Sequence, residues 1–233
     1  MKIIIIGGSR GIGRQTVKTA LERGHNVTVF ARNPKVLDIH HPNLHLKAGD
    51  VLDSESVEKA IAGHEAVICT LGLPTRLAIG PPFAKPSYVL STGTANILQA
   101  IAKLKINRFI CVTAIGTGDS AKQCTPLARL VLRGGLRWLF KEKDRQERFI
   151  KASKKIDWTI IRPTALTNGQ ARGAMVGPNL GSGILTHVSR ADVAATIINN
   201  LNLNGSFHKA LVVSYPARVG DSFRWVIGYF GRS

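Results

Sequence analysis

The sequence has little cysteine, few acidic side chains and no long apolar run, and each shortage excludes something. Three cysteines in 233 residues, Cys69, Cys111 and Cys124, are odd in number and lack metal-ligand spacing. Cys69 and Cys111 fall in apolar stretches that read as buried strands. All three are therefore expected to be reduced thiols in a cytoplasmic protein. The seven histidines are scattered, and His40-His41 stands too isolated to argue for zinc, so no metal site is expected. No apolar run reaches the roughly 18 residues of a bilayer span. The first strand is expected to begin at residue 2 or 3, an arrangement that predicts no signal or transit sequence. Internal repeats and low-complexity tracts are also missing.

The shortage of acids leaves a formal net charge of +18, with 32 Lys and Arg against 14 Asp and Glu. The densest basic stretch runs from Lys122 to Lys155. Arg129, Arg133, Arg137 and Lys141 recur every four residues and would form one ridge on a continuous helix. Gly134-Gly135 should break or bend that helix. A ridge of this kind suits an anionic membrane surface, nucleic acid or an acidic partner. No nucleic-acid motif or aromatic stacking pattern accompanies it. The favoured reading is a solvated face whose field attracts anionic small molecules, with peripheral contact to an anionic membrane left open.

What the sequence does have is Ile3-Ile4-Ile5-Ile6-Gly7-Gly8-Ser9-Arg10-Gly11-Ile12-Gly13. A continuous apolar run fits a central parallel strand buried on both faces. The glycine-rich turn after it passes directly into helix-forming residues, and a second strand follows at Asn26–Ala31. This is the opening of a dinucleotide-binding βαβ unit. Gly7, Gly11 and Gly13 allow the tight turn, the close approach of a pyrophosphate and the close packing of helix on strand. With Ser9, Arg10 and Ile12 they make up the expected phosphate-binding turn, at the positive end of helix Gly11–Arg23.

The end of the second strand bears on the choice between NAD and NADP. An acid there would bind the ribose 2′-hydroxyl, whereas a base suits a 2′-phosphate. This chain has Arg32, and no acid before Asp38. Arg10 can reach the same phosphate from the glycine turn, and two guanidiniums offer forked, charge-assisted hydrogen bonds. The expected cofactor is NADP(H), with Lys35 a third and weaker candidate contact.

Strand and helix patterns alternate along the chain. Strands are predicted at Lys2–Ile6, Asn26–Ala31, Leu44–Ala48, Ala66–Thr70, Arg108–Thr113, Trp158–Arg162 and Lys209–Ser214. Helices are predicted at Gly11–Arg23, Ser54–Ala62 capped by Ser54, Ser87–Leu104, Glu142–Ser153, and Arg190–Leu201 capped by Ser189. The pattern predicts an α/β fold: one Rossmann-type domain over 1–215 with a doubly wound parallel sheet. Loops 72–86, 114–125 and 164–188 follow strand ends and are expected to build a substrate pocket. Residues 216–233 form an aromatic tail expected to dock on the fold or on another subunit; the oligomeric state is left open.

The glycine spacing, Arg32, Gly49-Asp50-Val51, Thr70-Leu71-Gly72, Cys111-Val112-Thr113-Ala114 and Asp157-Trp158-Thr159-Ile160-Ile161-Arg162-Pro163 occur in an order that resembles an atypical short-chain dehydrogenase/reductase. The likeness covers roughly residues 1–215. It is greatest to the NAD(P)H-binding group containing biliverdin IXβ/flavin reductases and NmrA-like proteins. The resemblance implies that Asp50 and Val51 flank the adenine. It also implies that Leu71 and Gly72 pass beneath the ribose and phosphates, and that Pro163 and Thr164 lie beside the nicotinamide.

Standard members of the wider family use a Tyr-x-x-x-Lys pair, which this chain lacks. Tyr88, Tyr215 and Tyr229 have no lysine four residues on. The biliverdin/flavin reductase group lacks the pair too, and its conjugated substrates accept hydride into a delocalised system. Catalysis then rests on proximity and orientation. Thr113, at the end of the fifth strand, and Lys143, where relatives carry a lysine against the nicotinamide ribose, are the candidate catalytic residues. Thr164 stands where the biliverdin reductase type has histidine. The expected function is an NADPH-dependent reductase of a flavin, quinone or tetrapyrrole-like acceptor. The alternative is a non-enzymatic NADP(H)-binding regulator or assembly factor of the NmrA-like kind, and epimerase- or dehydratase-like chemistry is a more distant third.

Overall fold

A computed structural model describes residues 1–73, 88–126, 129–130, 134, 136–180 and 186–216. Its main sheet has eight strands in the order β3-β2-β1-β4-β5-β6-β10-β8. These are β1 (Lys2–Ile6), β2 (Asn26–Ala31), β3 (Leu44–Ala48), β4 (Ala66–Cys69), β5 (Arg108–Val112), β6 (Asp157–Pro163), β8 (Met175–Gly177) and β10 (Lys209–Ser214). All pairings are parallel except β8 against β10. A separate parallel pair joins β7 (Ala165–Thr167) to β9 (His187–Ser189).

Alternation along β1 decides the layers. Ile3 and Ile5 join a core with Val17, Ala20 and Leu21 of α1 (Gly11–Glu22) and Val193 and Ile197 of α5 (Arg190–Asn199). Ile4 and Ile6 join the opposite core. Its helices are α2 (Ser54–Ile61), α3 (Val89–Lys103) and α4 (Arg137–Ala152), represented by Val57, Ile97 and Ile150. Both faces of β1 are thus covered, as its unbroken apolar run requires. Each fully buried isoleucine contributes about 1.5–3 kcal/mol. The strand order reverses between β1 and β4, which opens the crevice at the carboxyl edge where such sheets receive ligands.

Several expectations need correction. Helix α2 is capped by Asp53, not Ser54: the Asp53 carboxylate accepts from Glu55 N at 3.0 Å and Ser56 N at 3.1 Å. Helix α4 starts five residues before the predicted Glu142. Leu139 and Phe140 anchor this added turn in a third apolar cluster. A turn at Gly134 precedes α4, so Arg137 and Lys141 share a helix to which Arg129 does not belong. The rest of the expected ridge, Arg133, lies outside the described residues. So do Ser87, most of loop 72–86, and residues 217–233 of the tail. Stretch 164–188, expected to be loop, contains β7, β8 and the start of β9. Each has only three residues, too few to show alternation. All three cysteines are free and buried. Among the described residues, no helix is long and apolar enough to cross a membrane.

Candidate functional site

The glycine turn is built by close approach. Gly7 has φ +85°, and a Cβ on it would sit 3.1 Å from the Thr70 carbonyl. A Cβ on Gly13 would lie 2.3 Å from Gly7 O and 2.6 Å from Thr70 Oγ1, so helix α1 can rest on the strand ends only with glycine there. The N-cap of α1 is Arg10, which makes no side-chain cap, and the first turn carries no acid. The positive end of α1 therefore remains uncompensated beside Gly7, Ser9, Gly11 and Ile12. A phosphate-sized cradle fits this geometry.

Strand β2 delivers Arg32 next to that turn, because Gly7 N donates to Phe30 O at 3.0 Å. Arg32 and Arg10 are exposed, and neither forms an ion pair among the described residues. Asp50 is exposed, and its carboxylate accepts from Leu52 N at 3.0 Å in a local turn. Val51 is buried and packs close against Gly93 of α3. Asn96 of the same helix donates to Val51 O at 3.0 Å and Leu52 O at 3.2 Å, holding the segment in place. Leu71 follows β4 and joins two apolar clusters, while Gly72 is exposed to open space.

The sheet brings Thr113 and Pro163 to the neighbouring ends of β5 and β6. The Thr113 hydroxyl donates to Glu147 Oε1 at 2.8 Å, so its proton is already engaged inside the protein. Glu147 also accepts from Arg162 Nε at 2.9 Å and Nη2 at 2.5 Å. Arg162 is fully buried, and its Nη2 reaches on to Asp119 at 2.7 Å. Burial alone would lower the Arg162 guanidinium, but Glu147 and Asp119 together hold it above its ordinary value. The hydrogen bond from Arg162 in turn holds the Asp119 carboxyl well below the usual carboxylate range. These two acids and this arginine tie the segment after β5 to helix α4.

Lys143 lies one turn before Glu147 on α4 and is 7% exposed. Burial lowers its ammonium, with Cys111, Cys69 and Glu147 pulling the other way. Cys69 and Cys111 stand directly opposite each other on β4 and β5. Burial pushes the Cys111 thiol well up. Thr164 is buried and turned toward β10, where its hydroxyl lies 3.4 Å from Val213 O and from Ser214 Oγ. A cleft of about 570 Å³ opens between Gly116–Ala121 and α4, lined among others by Phe140, Lys141, Arg148 and Glu147.

Sequence reading missed Arg162, Glu147, Asp119 and Asn96. One signal was present: an arginine inside the apolar run Thr159-Ile160-Ile161-Arg162 needs buried acceptors, of which a carboxylate is the strongest. It could not say which one. Ser189 caps α5 as expected, accepting from Asp192 N at 2.9 Å. Asp192 ties down stretch 164–188, accepting from Arg172 N at 3.0 Å, Gly173 N at 3.0 Å, Ser189 Oγ at 2.7 Å and the Tyr215 hydroxyl.

A parallel sheet reversing order beside an uncapped helix and a glycine turn defines a Rossmann-type dinucleotide-binding protein. The family profile described as NAD(P)H-binding matches residues 7–203, and the chain belongs to that family. It is similar to a 3-beta-hydroxysteroid dehydrogenase of Mycolicibacterium neoaurum, 31% identical over 113 residues, or 47% of this chain and 31% of the relative. It is also similar to the photosystem II assembly factor Ycf39 of Synechocystis, 23% identical over 72% of this chain and 46% of the relative. The chain thus spans less than half the length of these two relatives. In fold it is similar to ChuY, an anaerobilin reductase from Escherichia coli O157:H7. There the TM-score is 0.73 at 23% identity, covering 94% of this chain and 98% of the other.

Proposed function

We propose that this protein is an NADPH-dependent reductase that delivers hydride to a conjugated acceptor of flavin, quinone or tetrapyrrole type. One observation carries the choice of acceptor. Lys143 is buried beside the ends of β4 and β5, yet the position one helical turn ahead of it holds buried Leu139 instead of a tyrosine. The Thr113 hydroxyl is already engaged by Glu147, so among the described residues the tyrosine-lysine arrangement that protonates a carbonyl oxygen is missing. A delocalised acceptor needs no such group, because solvent can supply its proton.

The dihydronicotinamide supplies the hydride when bound. In this reading the amides of Gly7–Gly13 hold the pyrophosphate, Arg10 and Arg32 hold the 2′-phosphate, and Asp50 and Val51 border the adenine. Leu71 and Gly72 form the floor, with Pro163 and Thr164 beside the nicotinamide and Lys143 at its ribose. The anaerobilin reductase activity named for ChuY agrees with a tetrapyrrole-like acceptor.

A second reading, a non-enzymatic NADP(H)-dependent assembly factor, is favoured by the likeness to Ycf39, which extends over 72% of this chain. Steady-state NADPH oxidation with FMN, riboflavin, quinones and biliverdin separates the two. Saturable turnover with at least one acceptor is expected. Tight NADPH binding without turnover on any of them would favour the second reading.

A further inference from the structure

Helices α1 and α5 pack side by side on the same face of the sheet. They run in the same direction. At one end Arg23, which ends α1, donates to Asn199, the last residue of α5, at 2.5 Å. At the other end a Cβ on Gly11 would lie 3.8 Å from Arg190 Nε, at the first residue of α5. Gly11 has φ +54° and belongs to the phosphate turn. The positive ends of both helices, and a guanidinium, therefore meet at one place.

Arg190 is aimed but not neutralised. Its Nη1 donates to Asn168 Oδ1 at 2.6 Å, which fixes the side chain. It forms no ion pair among the described residues. Asp192, the nearest acid in sequence, is engaged by Ser189, Tyr215 and the amides of Arg172 and Gly173. Outside the described residues, segments 74–87 and 181–185 contain no Asp or Glu, and Asp221 is the one acidic side chain. Burial lowers the guanidinium, and no carboxylate among the described residues draws it back. A half-buried, uncompensated arginine is costly unless an anion completes the site.

We propose that Arg190, held by Asn168 beside Gly11, is a ligand of the cofactor pyrophosphate and closes the phosphate site from the start of α5. This rests on the coenzyme placement proposed above but assigns a residue outside the βαβ unit. Arg10 and Arg32 select the 2′-phosphate; Arg190 reads what NADPH and NADH share. The division of labour gives the two sets of arginines different signatures.

The test is competitive binding of NADPH, NADH and adenosine 2′-monophosphate to wild type, Arg190→Gln and Asn168→Ala. The last probe has the 2′-phosphate but no pyrophosphate. Loss of a charge-assisted hydrogen bond predicts that Arg190→Gln weakens both coenzymes by one common factor, roughly tenfold to a hundredfold, and leaves adenosine 2′-monophosphate unchanged. Asn168 is exposed, so Asn168→Ala leaves the fold intact and should weaken both coenzymes a few-fold. Unchanged NADPH binding in either variant, or equal loss of all three probes in Arg190→Gln, overturns the proposal. Wild type that binds neither coenzyme would instead sink the coenzyme placement itself.

Discussion

Arg32 follows a strand whose residues Val27–Phe30 are buried, and among the described residues it meets no carboxylate at the edge where the cofactor's adenosine is expected. Arg32→Glu should therefore weaken NADPH at least tenfold more than NADH; equal losses would refute its role. Glu147 and Arg162 are the opposite case, a buried pair. Removing Glu147 leaves the buried Arg162 guanidinium with only the exposed carboxylate of Asp119, so Glu147→Gln should cost about 3 kcal/mol in denaturant unfolding. Asp119, with its side chain 68% exposed, holds only the outer end of this network. Its folded carboxyl lies below the unfolded value of about 4. Its contribution is present above that pH and lost as pH falls through the folded value. The stability gap between wild type and Asp119→Asn should thus shrink from pH 7 to pH 3. Lys143 has the reverse sign. Burial lowers its folded value, so its charge is destabilising at neutral pH. Lys143→Met should raise Tm by a few degrees at pH 7 while cutting turnover. A lower Tm would contradict that account.

Helices and strands with strong local signals were legible in advance. β1, β2, β3 and β10 occupy their predicted ranges because each has enough apolar positions to declare itself. The start of α4 is not legible, because its first turn, Arg137 to Lys141, reads as part of a basic ridge, although Leu139 and Phe140 anchor it. The cap of α2 was misplaced by one residue, since Asp53 and Ser54 are both good caps and only the backbone geometry chooses. That choice is measurable: Asp53→Ala should lower stability by about 1 kcal/mol and Ser54→Ala by much less. For the candidate site, the glycine turn and Arg32 are local patterns, visible within a few residues of sequence. Asn96 and Glu147 reach their partners across 44 and 34 residues of sequence, and Arg190 comes beside Gly11 across about 180, which no local pattern encodes.

At the scale of the whole molecule, a net charge of +18 surrounds a site for a polyanionic cofactor. The field should speed and tighten capture of NADPH at low salt, and affinity should fall steadily as ionic strength rises. All of this depends on the crevice between β1 and β4 receiving a 2′-phosphorylated dinucleotide. Titration calorimetry of the purified protein with NADPH and with NADH tests it most directly. The account predicts one coenzyme per chain, with NADPH bound at least tenfold more tightly than NADH. Silence toward both, or a preference for NADH, would contradict it.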